Sequence, residues 1–155
     1  MTLVVLAAFI SAAIFISLLT AQQSGTQYVR RSLLTKSEFR FFVQLRAAVP
    51  DGYFVFPQVG MAAVMEARGG SAQAVLAAFR RISQKRIDFC VCGPSLEPQY
   101  VVELDDHTHD PARDAARDAL LMQAGIRTLR FDVRRLPPPS VLRSTLREQS
   151  REAVK

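Results

Sequence analysis

No Asp, Glu, Lys or Arg precedes Arg30, and this gap divides the chain into two parts that obey different physics. From Leu3 to Leu19 the residues are apolar apart from Ser11 and Ser17. With Thr2 and Thr20 the run approaches the ~20 residues that cross a hydrocarbon core about 30 Å thick. Residues 1–21 are therefore expected to form one transmembrane helix. A cleaved signal peptide is the first alternative, but it normally starts with a basic region and ends at a small-x-small site. Here the basic start is missing, and Leu19-Thr20-Ala21 is a poor match. A buried core helix is the second alternative; with no polar face, it would need protein on every side. The first charges after the run are Arg30, Arg31, Lys36 and Arg40. The positive-inside rule places such a flank in the cytoplasm, so a single-pass protein of the inner membrane with a cytoplasmic domain is expected.

The remainder reads as one folded unit behind a short linker. Residues 22–32 are polar, contain Gly25 and show little periodicity. Thr35-Lys36-Ser37-Glu38 then forms a capping-box pattern, with Phe39, Phe42 and Val43 at helical spacing, and Pro50-Asp51-Gly52 closes a helix predicted over 36–49. Tyr53 to Val59 is rich in aromatic and β-branched residues, and Pro57 within it suits an edge strand. Ser71 can cap a second helix whose apolar stripe would be Ala72, Val75, Leu76, Phe79 and Ile82.

Ile87 to Cys92 and Tyr100 to Asp105 are two strand-like runs joined by the turn chemistry of residues 93–98. Asp110-Pro111 opens a further helix, Gly125 ends it, and Ile126 to Val133 completes the strands. Residues 33–133 thus predict an α/β domain in three layers, a mixed sheet flanked by helices. Residues 134–155 follow Pro137-Pro138-Pro139 as a basic tail, with Arg143, Arg147 and Arg151 spaced for an exposed helix.

Charge narrows the partners. A net charge of +6 and a pI near 10 favour a polyanionic neighbour, either nucleic acid or an anionic lipid surface. Nearly half the residues are apolar, which excludes a disordered chain. Cys90 and Cys92, two apart on a strand, are expected to be packed thiols in a reducing compartment rather than a disulfide.

The densest run of chemically capable side chains is Glu103-Leu104-Asp105-Asp106-His107-Thr108-His109. Strand alternation puts Glu103 and Asp105 on one side, and His107 and His109 follow if the strand stays extended. A hairpin would bring Asp88 beside Glu103. Buried carboxylates are costly unless they are hydrogen-bonded, paired or bound to a cation. Oxygen ligands from neighbouring strands suit Mg²⁺ (or Mn²⁺), which can orient a phosphodiester and activate water. Glu38, on the first helix, could reach such a site.

Other roles remain open for each residue. Asp88, Glu103 and Asp105 can instead pair with Arg86, Arg113 or Arg130; Glu38 can be the capping-box acid alone; and His109 can hydrogen-bond the helix entry. A zinc site from Cys90-x-Cys92 and His107-x-His109 is opposed by the ~6.6 Å rise between residues two apart on a strand, since two zinc-bound sulfurs lie under ~4 Å apart.

Ile87-Asp88-Phe89, Glu103-Leu104-Asp105-Asp106 with His109, Arg117-Asp118, and Ala124-Gly125-Ile126 with Leu129-Arg130-Phe131 occur in an order that resembles the bacterial family known as domain of unknown function 2726. That family is similar to the PD-(D/E)XK restriction-endonuclease-like superfamily. The resemblance implies a restriction-endonuclease-like core, a nuclease-type phosphodiester hydrolase activity and nucleic acid as partner. It also implies a metal site with Asp88 and Glu103 as ligands and Glu38 in the place of the helix acid; Asp105 and His109 are expected to assist catalysis. In the superfamily pattern a lysine stands two residues after the strand Glu; here that place holds Asp105, which cannot supply positive charge. A binding module that keeps the fold without catalysis is the rival reading.

Overall fold

The computed structural model describes residues 9–17, 26–105 and 111–153. It divides into two units, Met1–Ser32 and Leu33–Lys155. In the first, residues 9–17 are helical (α1), and the rest of the apolar run lies outside the described residues. Among the described residues no helix is long and apolar enough to cross a membrane.

The second unit opens with α2 (Lys36–Ala48), whose capping box forms in both directions: the Glu38 amide donates to Thr35 Oγ1 at 3.3 Å, and the Thr35 amide donates to Glu38 Oε2 at 2.6 Å. The buried face of α2 is Phe41, Leu45 and Ala48, while Phe39 and Val43 are exposed. The predicted stripe is thus rotated by about half a turn, because the side of the helix that meets the sheet is chosen by packing.

β1 (Phe54–Gly60) runs into a short 3₁₀ turn, Met61–Ala63, and then to α3 (Ala72–Ile82), where the Ala74 amide donates to the capping Ser71 Oγ at 3.2 Å. Of the predicted α3 stripe only Ile82 is buried, and Leu76 and Phe79 stay about half-exposed. This helix packs against the Met61–Ala63 turn, which is too small to cover it.

β2 (Arg86–Cys92), β3 (Pro98–Asp105) and β4 (Arg127–Asp132) complete a four-stranded sheet in the order β1-β2-β3-β4. β1, β2 and β3 are antiparallel neighbours, with a short turn between β2 and β3 and the segment carrying α3 between β1 and β2, whereas β3 and β4 are parallel and joined by α4 (Pro111–Gln123). Gly125 leaves α4 at φ +77, the left-handed geometry that ends a helix cheaply only at glycine. Pro57 lies on β1, an edge strand of the mixed sheet.

Alternation along β2 and β3 sends side chains to opposite faces. On one face Phe89, Val91, Tyr100, Val102 and Leu104 pack under Phe41 and Leu45 of α2 and Leu142 and Leu146 of α5 (Pro139–Ala153). Phe41 sits edge-on to Phe89 with centroids 5.7 Å apart. A second, smaller cluster joins Met61, Ile82, Ile87, Val101, Leu121 and Ile126.

The segment 134–155 is therefore no appendage: α5 buries Leu142 and Leu146 completely, and Tyr100 Oη lies 3.4 Å from Ser150 Oγ. Arg143, Arg147 and Arg151 occupy its exposed side. Cys90 and Cys92 are free and buried, and burial pushes the Cys90 thiol up to about 12.

Candidate functional site

The β2–β3 ladder is paired at Phe89↔Val102, and the next positions along it are Asp88 and Glu103. There the Leu104 amide donates to Asp88 Oδ2 at 3.0 Å, so a side chain accepts from the backbone of the neighbouring strand. On the other side of β2, Gln58 lies between the pairs Pro57↔Phe89 and Val59↔Ile87, opposite Asp88, with φ +55. Left-handed backbone costs a residue with a Cβ about 1–2 kcal/mol. The sheet is thus distorted on both sides of Asp88.

Glu103 is the most deeply buried charged side chain described, with 1% of the residue exposed. Its Oε2 lies 3.0 Å from Arg117 Nη2, and its Oε1 is buried with no hydrogen-bond partner among the described residues. Burial pushes the Glu103 carboxyl up to about 8 and the nearby Asp88 carboxylate adds to the rise, while Arg117, Arg130 and a hydrogen bond from the Asp88 backbone oppose it. The desolvation cost exceeds the help from the arginines. Salt-bridge geometry alone would suggest a firmly ionised group; so deep in the protein, the upward direction dominates.

Asp105, on the same face, is held by Arg130, with Nη1 to Oδ1 at 2.7 Å. Arg130 also grips Asp118 of α4 through Nε and Nη2, both at 3.0 Å, a bidentate fork. Arg117 Nη2 is shared with Asp114 at 3.2 Å. The face thus interleaves acids from two strands and a helix with two arginines.

Glu38 uses both carboxylate oxygens elsewhere: Oε2 in the capping box, and Oε1 accepting from Gln58 Nε2 at 3.0 Å. The structure brings Asp88, Glu103 and Asp105 to one region and links Glu38 to it through Gln58, which faces Asp88 across the ladder. His109 and His107 lie outside the described residues.

Among the described residues no group of three His, Cys, Asp or Glu side chains is arranged to hold a metal ion. Two carboxylates are nevertheless a normal protein contribution to Mg²⁺, which keeps several waters and takes substrate phosphates as further ligands. The orphaned Glu103 Oε1 beside Asp88 fits that mode. For zinc, a register shift between Val91 and Cys92 accompanies a sulfur separation of only 3.8 Å, closer than a regular strand would give. Burial, which pushes the Cys90 thiol up to about 12, opposes the thiolate that zinc requires.

A family model described as a protein of unknown function (DUF2726) matches residues 30–149, from the end of the linker through most of α5. The chain belongs to the DUF2726 family. An uncharacterized protein of Haemophilus influenzae is 28% identical over 102 residues, covering 64% of this DUF2726 chain. The alignment covers 50% of that relative, so the chain spans about half its length. No solved structure matches.

Sequence reasoning gave Arg117 only as part of the family motif, without a role in the site, and missed Asp114 and Gln58. Arg117 and Asp114 carried a usable signal, an acid and a base three apart on a helix that follows the carboxylate strand. Gln58 carried none, since its relation to Asp88 depends on strand pairing.

Proposed function

We propose that this DUF2726 protein is a membrane-anchored, Mg²⁺-dependent (or Mn²⁺-dependent) phosphodiester hydrolase of the nuclease kind, with Asp88 and Glu103 as the metal ligands. The observation that carries the reading is the buried Glu103 Oε1, without a partner among the described residues, beside a second carboxylate on the adjacent strand. A protein seldom leaves such an oxygen unsatisfied without a use for it.

Bound there, Mg²⁺ would orient the phosphodiester, acidify the attacking water and stabilise charge on the phosphorane. The chain's own residues divide the remaining work. Asp88 and Glu103 supply fixed oxygen ligands from the sheet, and Asp105 is held in place by Arg130. His109 is assigned the proton transfer, a task for which imidazole is the usual side chain. Glu38 acts through Gln58 on the Asp88 side. The fold order, with Asp88 on β2 and Glu103 on β3, supports the likeness to the PD-(D/E)XK superfamily. Nucleic acid is the substrate class that its basic surface and this chemistry favour together.

The apolar run supports the anchor: Phe9, Ile10, Ile14, Phe15 and Ile16 are all more than half-exposed, a costly arrangement in water and a natural one in lipid. With Arg30 and Arg31 following, the domain lies on the cytoplasmic side of the inner membrane.

The second reading is a membrane-tethered module that keeps the fold and binds nucleic acid or protein without cutting. It is favoured by the ion pairs Glu103–Arg117 and Asp105–Arg130, which already partner two of the carboxylates. Incubating the full chain with single- and double-stranded DNA and RNA, with Mg²⁺ or Mn²⁺ and an Asp88→Ala control, separates the two. Cleavage that drops at least ~100-fold in the control is expected. Equal cleavage by both forms, or none by either under any metal, rejects the enzyme.

A further inference from the structure

The two arginines of the charged face are engaged very differently. Arg130 commits Nε and Nη2 to Asp118 and Nη1 to Asp105, so its guanidinium is tied on two sides. Arg117 meets Glu103 and Asp114 through the single nitrogen Nη2, at 3.0 and 3.2 Å. Its Nε is buried with no partner among the described residues, and 18% of its side chain reaches the surface. A guanidinium carries five N–H donors in a fixed plane and keeps its charge at any working pH. Most of the donor capacity of Arg117 is therefore unspent.

Its position is equally specific. Glu103 is 2% exposed by side chain, so a cation touching it sits at the floor of the face. A divalent ion on Glu103 and the Arg117 guanidinium would compete for the same carboxylate. Asp114, three residues back on α4, is a second acid that Arg117 already touches and can keep.

We propose that Arg117 is a catalytic cation that changes partner: it pairs with Glu103 when the carboxylates hold no metal, and with the metal bound it keeps Asp114 and turns its free N–H groups to a phosphate oxygen of the substrate. The inference rests on the reading of Asp88 and Glu103 as ligands. It supplies, from the helix, the positive charge that Asp105 denies to the strand. Planar, bidentate recognition of phosphate is what an arginine does best.

The test is a calorimetric titration of Mg²⁺ into the full chain and into Arg117→Met, alongside hydrolysis of a DNA or RNA substrate that the wild type cleaves. Removing a competing cation should tighten Mg²⁺ binding by about tenfold, and removing a phosphate donor should lower kcat by at least ~100-fold. Opposite signs on the two readouts are the signature, since a merely structural role would weaken both. Arg117→Lys keeps the charge without the fork: near wild-type Mg²⁺ affinity and a kcat lowered by about tenfold or more are expected, and this variant decides if Arg117→Met does not fold.

Unchanged or weaker Mg²⁺ binding by folded Arg117→Met, or full kcat in Arg117→Lys, overturns the inference and leaves the two-carboxylate site standing. If neither wild type nor variants bind Mg²⁺, the ligand reading falls and takes this one with it.

Discussion

On β3, Tyr100, Val102 and Leu104 turn toward α2 and α5, while Val101, Glu103 and Asp105 turn the other way. The first set joins Phe41, Leu45, Leu142 and Leu146 in a continuous apolar cluster. The second begins with an apolar contact, Val101 against the Leu121 cluster, and then gives way to Glu103–Arg117 and Asp105–Arg130. Burial of a large aliphatic or aromatic side chain contributes roughly 1.5–3 kcal/mol, so the α2–α5 face is where the sheet gains its stability. A buried ion pair contributes far less once its desolvation is counted, and replacing it by apolar groups is often neutral or better. The difference teaches that the charged face is kept at an energetic disadvantage, which is the physical reason to look for chemistry there.

Three measurements break or sharpen this contrast. Leu146→Ala, on the apolar face, should cost about 2–5 kcal/mol in urea unfolding, because it opens a cavity at a fully buried position. A loss below ~1 kcal/mol would mean that α5 is not part of the core and would erase the comparison.

Glu103→Gln should act through pH rather than through packing. The Glu103 carboxyl is raised from 4.5 to about 8, so between those values the folded chain holds a proton that the unfolded chain has released. The resulting stability is fully present below pH 4.5 and is lost as pH rises through 8. The slope approaches about 1.4 kcal/mol per pH unit within that window. Glu103→Gln should flatten the profile and gain on the wild type above pH 8; a variant as pH-dependent as the wild type would show that another group carries the effect.

The smallest change is expected at Arg127, whose exposed ion pair with Glu152 ties β4 to α5. Arg127→Ala should shift the unfolding free energy by less than ~1 kcal/mol, falling further at high salt. A larger loss would show that surface charge, and not Leu142 and Leu146, fastens α5.

Much of the fold could be read from local rules. Thr35 and Glu38 announced the start of α2, Ser71 that of α3, and Gly125 the end of α4, because caps and left-handed stops are decided within a few residues. The run 87–105 gave two strands and a turn for the same reason. The inward faces of α2 and α3 differ from the predicted stripes: Phe39, Val43, Leu76 and Phe79 fit a helical stripe, yet all four are exposed among the described residues. Periodicity shows that a helix has an apolar side, but its partner decides how much of that side is covered. The basic spacing of Arg143, Arg147 and Arg151 hid the opposite stripe of Leu142 and Leu146, so α5 was read as a tail. Of the candidate site, the carboxylates were legible because acids in a strand are unusual, whereas Arg117 and Gln58 depend on pairings across the sheet.

By itself the sequence determined that an apolar run precedes an α/β unit with acids at 88, 103 and 105, since composition, alternation and capping act locally. Only the tertiary structure decided that Glu103 is sealed from water, that one of its oxygens has no partner among the described residues, and that Arg117 touches it with one nitrogen. Burial and ion pairing are properties of what surrounds a side chain, and for Glu103 those surroundings come from a second strand and a helix separated from it along the chain.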